Sequence, residues 1–177
     1  HRFYQYLSGA GLKGVDFIAI HEEQLILIEV KNYKERFAKE GEHPMDPLTK
    51  NPEVYSTHFF RKFADTFRLL DIIEQYYQRQ WWYRSFFQIF KPYFSQTYLL
   101  KKETGFWTKA IELLDQPKKV KLVLWLELAP GYDPQKAKAL NDYFEKDIQA
   151  KIPEGMTFRI THSRDSFDGI ALEKLSL

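Results

Sequence analysis

The chain contains no cysteine and only two methionines. Without cysteine there can be no disulfide framework, no thiolate zinc site and no cysteine nucleophile, so any metal must be held by carboxylates, carbonyls or imidazoles. Long hydrophobic runs are also missing. The longest, 25–30 and 120–128, are interrupted by Glu29 and Glu127 and fall far short of the roughly 20 residues of a bilayer span. Nor is there an excess of one charge: 26 basic residues stand against 24 acidic ones, a net charge of +2, so bulk charge does not announce a nucleic-acid binder. No secretory leader pattern opens the chain. These absences lead to the expectation of a soluble, cytoplasmic protein with no membrane partner.

What is present is enough for one real core. With 177 residues, 44% of them hydrophobic, the expectation is a single domain over 1–177 carrying a large insertion at about 34–103. Two short apolar runs, 14–20 and 25–33, flank the polar stretch His21-Glu22-Glu23-Gln24 and form a β-hairpin signal. Both are apolar on both faces, as in strands covered by helices on two sides. A linker rich in Gly, Pro and charge follows, through Asn51-Pro52, and is expected to run over the surface. From about Glu53 to Arg79, apolar residues at Phe59, Phe63, Phe67, Leu70, Ile73 and Tyr77 recur every three or four positions, predicting a long amphipathic helix.

A helix over 81–98, broken at Lys91-Pro92, and a shorter one ending near Asp115 come next. The run 120–128 reads as a buried strand, and Asp133-Pro134 as a helix start whose inward stripe is Ala137, Leu140, Phe144 and Ile148. Strands at 157–163 and 169–175 follow the turn Pro153-Glu154-Gly155. The whole is a mixed α/β domain.

The first hairpin carries the candidate chemistry. If its loop centres between Glu22 and Glu23, facing residues sum to 45 in number, so Ile18 meets Leu27, Ile20 meets Leu25, and Asp16 meets Glu29. Lys31 shares that face because strand side chains repeat every two residues. Two facing carboxylates repel unless something positive sits between them, and a divalent cation would serve. Mg²⁺ takes one or two carboxylates and fills its other positions with water and phosphate oxygens, which points to a phosphate substrate. Lys31 would orient the attacking water and steady the charged transition state. Gly14, opposite Lys31, leaves room for substrate.

Val15-Asp16 followed by Glu29-Val30-Lys31, each within a hydrophobic strand, resembles the motif of the PD-(D/E)XK, or restriction-endonuclease-like, nucleases. The resemblance covers 1–33 and about 104–150. It implies an αβββαβ core with a mixed central sheet flanked by helices, plus a helical insertion between the motif strand and the next strand, 120–128. It further implies catalytic roles for Asp16, Glu29 and Lys31, a Mg²⁺ or Mn²⁺ shell of Asp16, Glu29 and Val30, and hydrolysis of a nucleic-acid phosphodiester, DNA in preference to RNA. Two departures stand out. Arg2 to Ser8 lacks the acidic residue many members carry before the first strand, and Val15 occupies the place of the motif proline. The competing expectation is an inactive domain of the same fold that serves as a nucleic-acid-binding or protein-interaction scaffold.

Thirteen of the thirty aromatic residues lie between Tyr76 and Trp107, and between Tyr76 and Lys109 six basic residues face the single acid Glu103. Stacking platforms beside cations suit single-stranded nucleic acid. Trp82, Phe86 and Phe90 at four-residue spacing read instead as a small core of the insertion, and Tyr83, Phe87 and Phe94 as surfaces for packing or a homodimer. Lys109, Lys101, Lys102 and Arg84 are the candidate phosphate contacts, with Lys109 expected near the acids. His43 with Glu42 and Asp46 reads as a solvated turn, His58 and His162 as ordinary residues, and Glu22 and Glu23 as solvated loop positions. Gly9-Ala10-Gly11 is too short for a phosphate-cradling loop, which ranks nucleotide phosphoryl transfer last.

Overall fold

A computed structural model of the chain describes residues 12–34, 43–80, 82, 83, 89 and 102–162. Its elements are β1 (Phe17–His21), β2 (Gln24–Asn32), α1 (Asp46–Lys50), α2 (Pro52–Arg79), α3 (Glu103–Leu114), β3 (Val120–Glu127), α4 (Pro134–Gln149) and β4 (Thr157–Thr161). The four strands form one mixed sheet in the order β1-β2-β3-β4. β1 and β2 are antiparallel, while β2 to β3 and β3 to β4 are parallel pairings joined by helical crossovers.

The hairpin register is the expected one, with Ile18 opposite Leu27 and Ile20 opposite Leu25. Its two-residue loop is tight, Glu22 and Glu23 both having positive φ (46° and 60°), the turn geometry that follows strand twist. β1 departs from the buried strand expected. It is an edge strand among the described residues, and Phe17 is 60% exposed.

Leu25 and Leu27 of β2, Leu122, Leu124 and Leu126 of β3, and Phe158 of β4 form the apolar floor on one sheet face, and α2, α3 and α4 pack into the same core. Each such fully buried side chain contributes about 1.5–3 kcal/mol. Along α2 the buried positions Ser56, Phe59, Phe63, Thr66, Leu70, Ile73 and Tyr77 alternate spacings of three and four, so one stripe faces inward for the whole 28-residue length. Phe63 meets Phe158 edge-on at 6.0 Å and Phe59 meets Phe144 of α4 at 5.4 Å. The helix assigned to the insertion therefore belongs to the main core. Ile26 and Val123, on the opposite sheet face, are buried outside that core cluster.

α4 starts as its sequence indicates, the Asp133 carboxylate accepting from the N–H groups of Gln135 and Lys136. Its stripe Leu140, Phe144 and Ile148 is buried. Gly155 closes the following turn at φ +93°, where a Cβ would come 3.2 Å from that of Pro117. The expected surface linker contains α1 instead, and Met45 just before it and Leu48 within it are completely buried. Two hydrophobes spaced to meet the core outweigh the polar composition around them.

Where the αβββαβ arrangement has three consecutive strands, the described residues supply two, β1 and β2, before the helices. The leading helix at 2–8, the broken helix at 81–98, Phe86, Phe87, Phe90, Phe94, Glu42, Arg84, Lys101 and the strand at 169–175 lie outside the described residues. Among the described residues no helix is long and apolar enough to cross a membrane.

Candidate active site

The segment leading into β1 is clamped onto α2. Asp65 Oδ2 accepts from the N–H of Lys13 at 3.2 Å, Thr66 Oγ1 accepts from the N–H of Val15 at 2.9 Å, and the Lys62 ammonium donates to the carbonyl of Gly14 at 3.2 Å. Three successive residues are thereby fixed just before Asp16. These backbone groups precede the first strand pairing, and the polar flank of α2 supplies hydrogen-bond partners to them.

Asp16 is exposed and its Oδ2 accepts from the N–H of Val30 at 2.8 Å. In a strand the N–H and C=O of one residue point toward the same neighbour, so the Val30 carbonyl also faces the side on which Asp16 sits. Glu29 has no solvent exposure at all. Its Oε1 accepts from the Lys31 ammonium at 2.5 Å and lies 3.7 Å from that of Lys62, while its Oε2 is buried with no hydrogen-bond partner among the described residues. The motif triad is thus gathered at the end of β2, with Lys62 added to it from α2.

The positive charge expected between the acids is supplied in part by the protein itself. Two ammonium groups neutralise Glu29, and a main-chain N–H occupies one oxygen of Asp16, so repulsion alone no longer demands an ion. The donor set still suits a hard cation, since a buried carboxylate oxygen with no hydrogen-bond partner among the described residues is expensive. Asp16, Glu29 and the Val30 carbonyl would hold such an ion, with water or phosphate oxygens completing its shell. Among the described residues no group of three or more His, Asp or Glu is placed to hold a metal.

His58, expected to be ordinary, borders this site. It lines a cleft with Lys13, Arg61, Lys62 and Asp65. Burial, and then the ammonium groups of Lys31 and Lys62, push its imidazole below the usual range, and Glu29 opposes them. His58, Lys62 and Asp65 recur along α2 at spacings of four and three, a polar stripe beside the core stripe. That spacing was visible in the sequence, but not which end of the sheet it would meet.

Lys109 is not brought to the acids. Its ammonium pairs with Glu23 at 2.6 Å at the hairpin turn, six residues and about 20 Å along β2 from Glu29. Glu23 is accordingly tethered rather than a freely solvated loop residue. Lys102 is exposed at the N-terminal cap of α3. Tyr83 packs on the main core, stacked on Tyr77 at 5.2 Å, with its hydroxyl 3.2 Å from that of Thr108. His43 stacks on Tyr132 and accepts from the N–H of Met45, and Asp46 pairs with Lys50, so that turn is structural. His162 ties the Leu126 carbonyl to Asn141. Comparison with protein-family models, with characterised proteins and with solved structures finds no match for this chain.

Proposed function

We propose that the protein is a metal-dependent nuclease of the PD-(D/E)XK kind that hydrolyses phosphodiester bonds of DNA, with Asp16, Glu29 and Lys31 at its centre. The observation that carries this reading is the convergence of an exposed carboxylate, a buried carboxylate with one unpartnered oxygen and an ammonium at one end of β2. A bound Mg²⁺ or Mn²⁺ would acidify a water molecule and offset charge on the scissile phosphate. Asp16, fixed by the Val30 N–H and by the clamp on residues 13–15, holds its free oxygen toward the solvent side where the substrate arrives. Glu29 anchors the Lys31 ammonium, which donates toward the attacking water or a phosphate oxygen as negative charge builds up. Lys62 adds a second cation to the same wall.

One observation favours a second reading. Because Lys31 and Lys62 already neutralise Glu29, the site is electrostatically tolerable without metal, as a scaffold domain that binds nucleic acid without cutting would require.

Incubation of the protein with plasmid and single-stranded DNA, in Mg²⁺ or Mn²⁺ and in chelator, separates the two. Metal-dependent cutting that is lost in both Glu29→Ala and Lys31→Ala supports the nuclease. Salt-sensitive binding with no cutting in either metal supports the scaffold.

A further inference from the structure

The cleft beside the acids has a chemistry of its own. About 150 Å³ in volume, it is lined by Lys13, His58, Arg61, Lys62 and Asp65. Its one acid is already committed: Asp65 is 5% exposed, accepts from the Lys13 N–H through Oδ2 and lies 3.3 Å from the Arg68 guanidinium through Oδ1. Among the described residues no carboxylate is within ion-pair distance of the Lys13 ammonium or the Arg61 guanidinium. Lys62 is shared, standing 3.7 Å from Glu29 while it donates to the Gly14 carbonyl. The cleft therefore gathers three cations and an imidazole around the single acid Asp65, and two of the cations, Lys13 and Arg61, have no carboxylate to balance them among the described residues. Like charges collected on one wall repel, and a fold keeps such an arrangement at lowest cost when a ligand supplies the opposite charge.

We propose that this cleft is a phosphate-binding subsite that receives the nucleic-acid phosphate next to the one being hydrolysed. A planar guanidinium can fork two phosphate oxygens while ammonium groups act as point charges on the others, a division of labour that Arg61 with Lys13 and Lys62 can supply. Arg61 and Lys13 are exposed, as groups that greet a polymer rather than a buried ion should be. Position selects the neighbouring phosphate: Lys62 forms the wall common to the cleft and to the Glu29 site, so an anion in the cleft lies one lysine side chain away from the acids. Burial first, and then the ammonium groups of Lys31, Lys62 and Lys13, lower the basicity of His58 against the opposing charge of Glu29, so the positive surroundings account for part of that shift.

This inference rests on the phosphodiesterase reading of the acid site, and the test keeps the two apart. Fluorescence anisotropy in chelator, where no cutting occurs, measures binding of short single-stranded DNA carrying a 5′-phosphate, a 3′-phosphate or hydroxyl ends. The proteins compared are the wild type, Arg61→Ala, Arg61→Glu, Lys13→Ala and, at the opposite end of the sheet, Lys118→Ala. The expected result is about fivefold or greater loss of affinity for Arg61→Ala and Lys13→Ala, a larger loss for Arg61→Glu, and none for Lys118→Ala. The slope of log affinity against log salt should fall by about 0.7 for each single-charge removal, the value for one phosphate contact on a single strand. A loss confined to one phosphorylated end identifies the ligand as a terminal phosphate. A loss for hydroxyl-ended strands as well identifies an internal diester. Equal binding by Arg61→Ala, Lys13→Ala and the wild type, or no binding by the wild type, overturns the subsite. Cutting in Mn²⁺ by a wild type whose affinity is untouched by Arg61→Ala sinks the subsite alone. Loss of affinity in Arg61→Ala and Lys13→Ala, beside a wild type that binds but never cuts in Mn²⁺, sinks the nuclease reading alone.

Discussion

Lys62 of α2 stands 3.7 Å from the fully buried Glu29 of β2 and at the same time donates to the Gly14 carbonyl, so one ammonium ties the helix both to the motif carboxylate and to the strand entry beside it. The acid site is thus an assembly of three chain segments, 13–16, 29–31 and 58–66, rather than a property of the hairpin alone.

Removing that ammonium separates its two electrostatic effects. Lys62→Met keeps most of the side-chain packing but leaves Glu29 with Lys31 as its one cation among the described residues, and should lower stability by about 1–2 kcal/mol in urea unfolding. The same substitution removes repulsion toward an incoming divalent ion, so Mn²⁺ affinity followed by calorimetry should rise by about fivefold. Unchanged or weaker Mn²⁺ binding would show that Lys62 does not face the proposed ion.

Asp16 allows structure and chemistry to be told apart. In Asp16→Asn the amide oxygen can still accept from the Val30 N–H, so stability should stay within about 0.5 kcal/mol of the wild type. Metal-dependent DNA cutting should fall by roughly 100-fold because the charge is gone. Asp16→Ala loses the hydrogen bond as well and should unfold about 1 kcal/mol more easily. If Asp16→Asn cuts at the wild-type rate, Asp16 is a strand cap and nothing more.

The hairpin and its register were legible because two apolar runs flank a short polar loop whose centre leaves few alternatives, and the Ile18–Leu27 and Ile20–Leu25 pairs stand where the sum rule puts them. The length of α2 was legible from its stripe. The partners of the acids were not, because His58, Lys62 and Asp65 acquire their roles through the tertiary contact between α2 and residues 13–15, which no local pattern encodes. Lys109 was misplaced for a topological reason. β3 is parallel to β2 and begins with Val120 opposite Leu25, at the hairpin turn, so the helix that feeds it must end near that turn and carries Lys109 to Glu23, away from the acids. The edge position of β1 was hidden because half-burial and full burial demand similar apolar residues.

Thr66 tests the clamp. Its hydroxyl accepts from the Val15 N–H and donates to the Lys62 carbonyl, and the residue is fully buried. Thr66→Val keeps the shape but removes the hydroxyl that accepts from the Val15 N–H, which should lower stability by about 1–3 kcal/mol. Cutting should drop alongside it as residues 13–16 loosen. Thr66→Ser, which restores the hydroxyl, should recover most of both. Equal stability of the valine and serine variants would mean that the Val15 N–H has found another partner and that the clamp does not set the position of Asp16.

The α2–α4 contact carries a pH signature that is independent of the site. Asp147 of α4 accepts from the buried Ser56 hydroxyl at 2.6 Å and pairs with Lys151. Burial pushes its carboxyl up, but the hydrogen bonds from Lys151 and Ser56, together with the Lys151 charge, outweigh it, and the group ends below its ordinary value of 3.8. A carboxyl that is more acidic in the fold than in the unfolded chain adds stability above its ordinary value and loses it as pH falls through the folded value. Asp147→Asn should therefore be less stable than the wild type at pH 7, with the gap narrowing below about pH 3.8 as the wild-type carboxyl takes up its proton. Urea unfolding of both proteins at pH 7 and near pH 3 measures that gap directly. A difference that stays constant across the range would assign the loss to packing of the amide and leave the Asp147 charge without a part in joining the two helices.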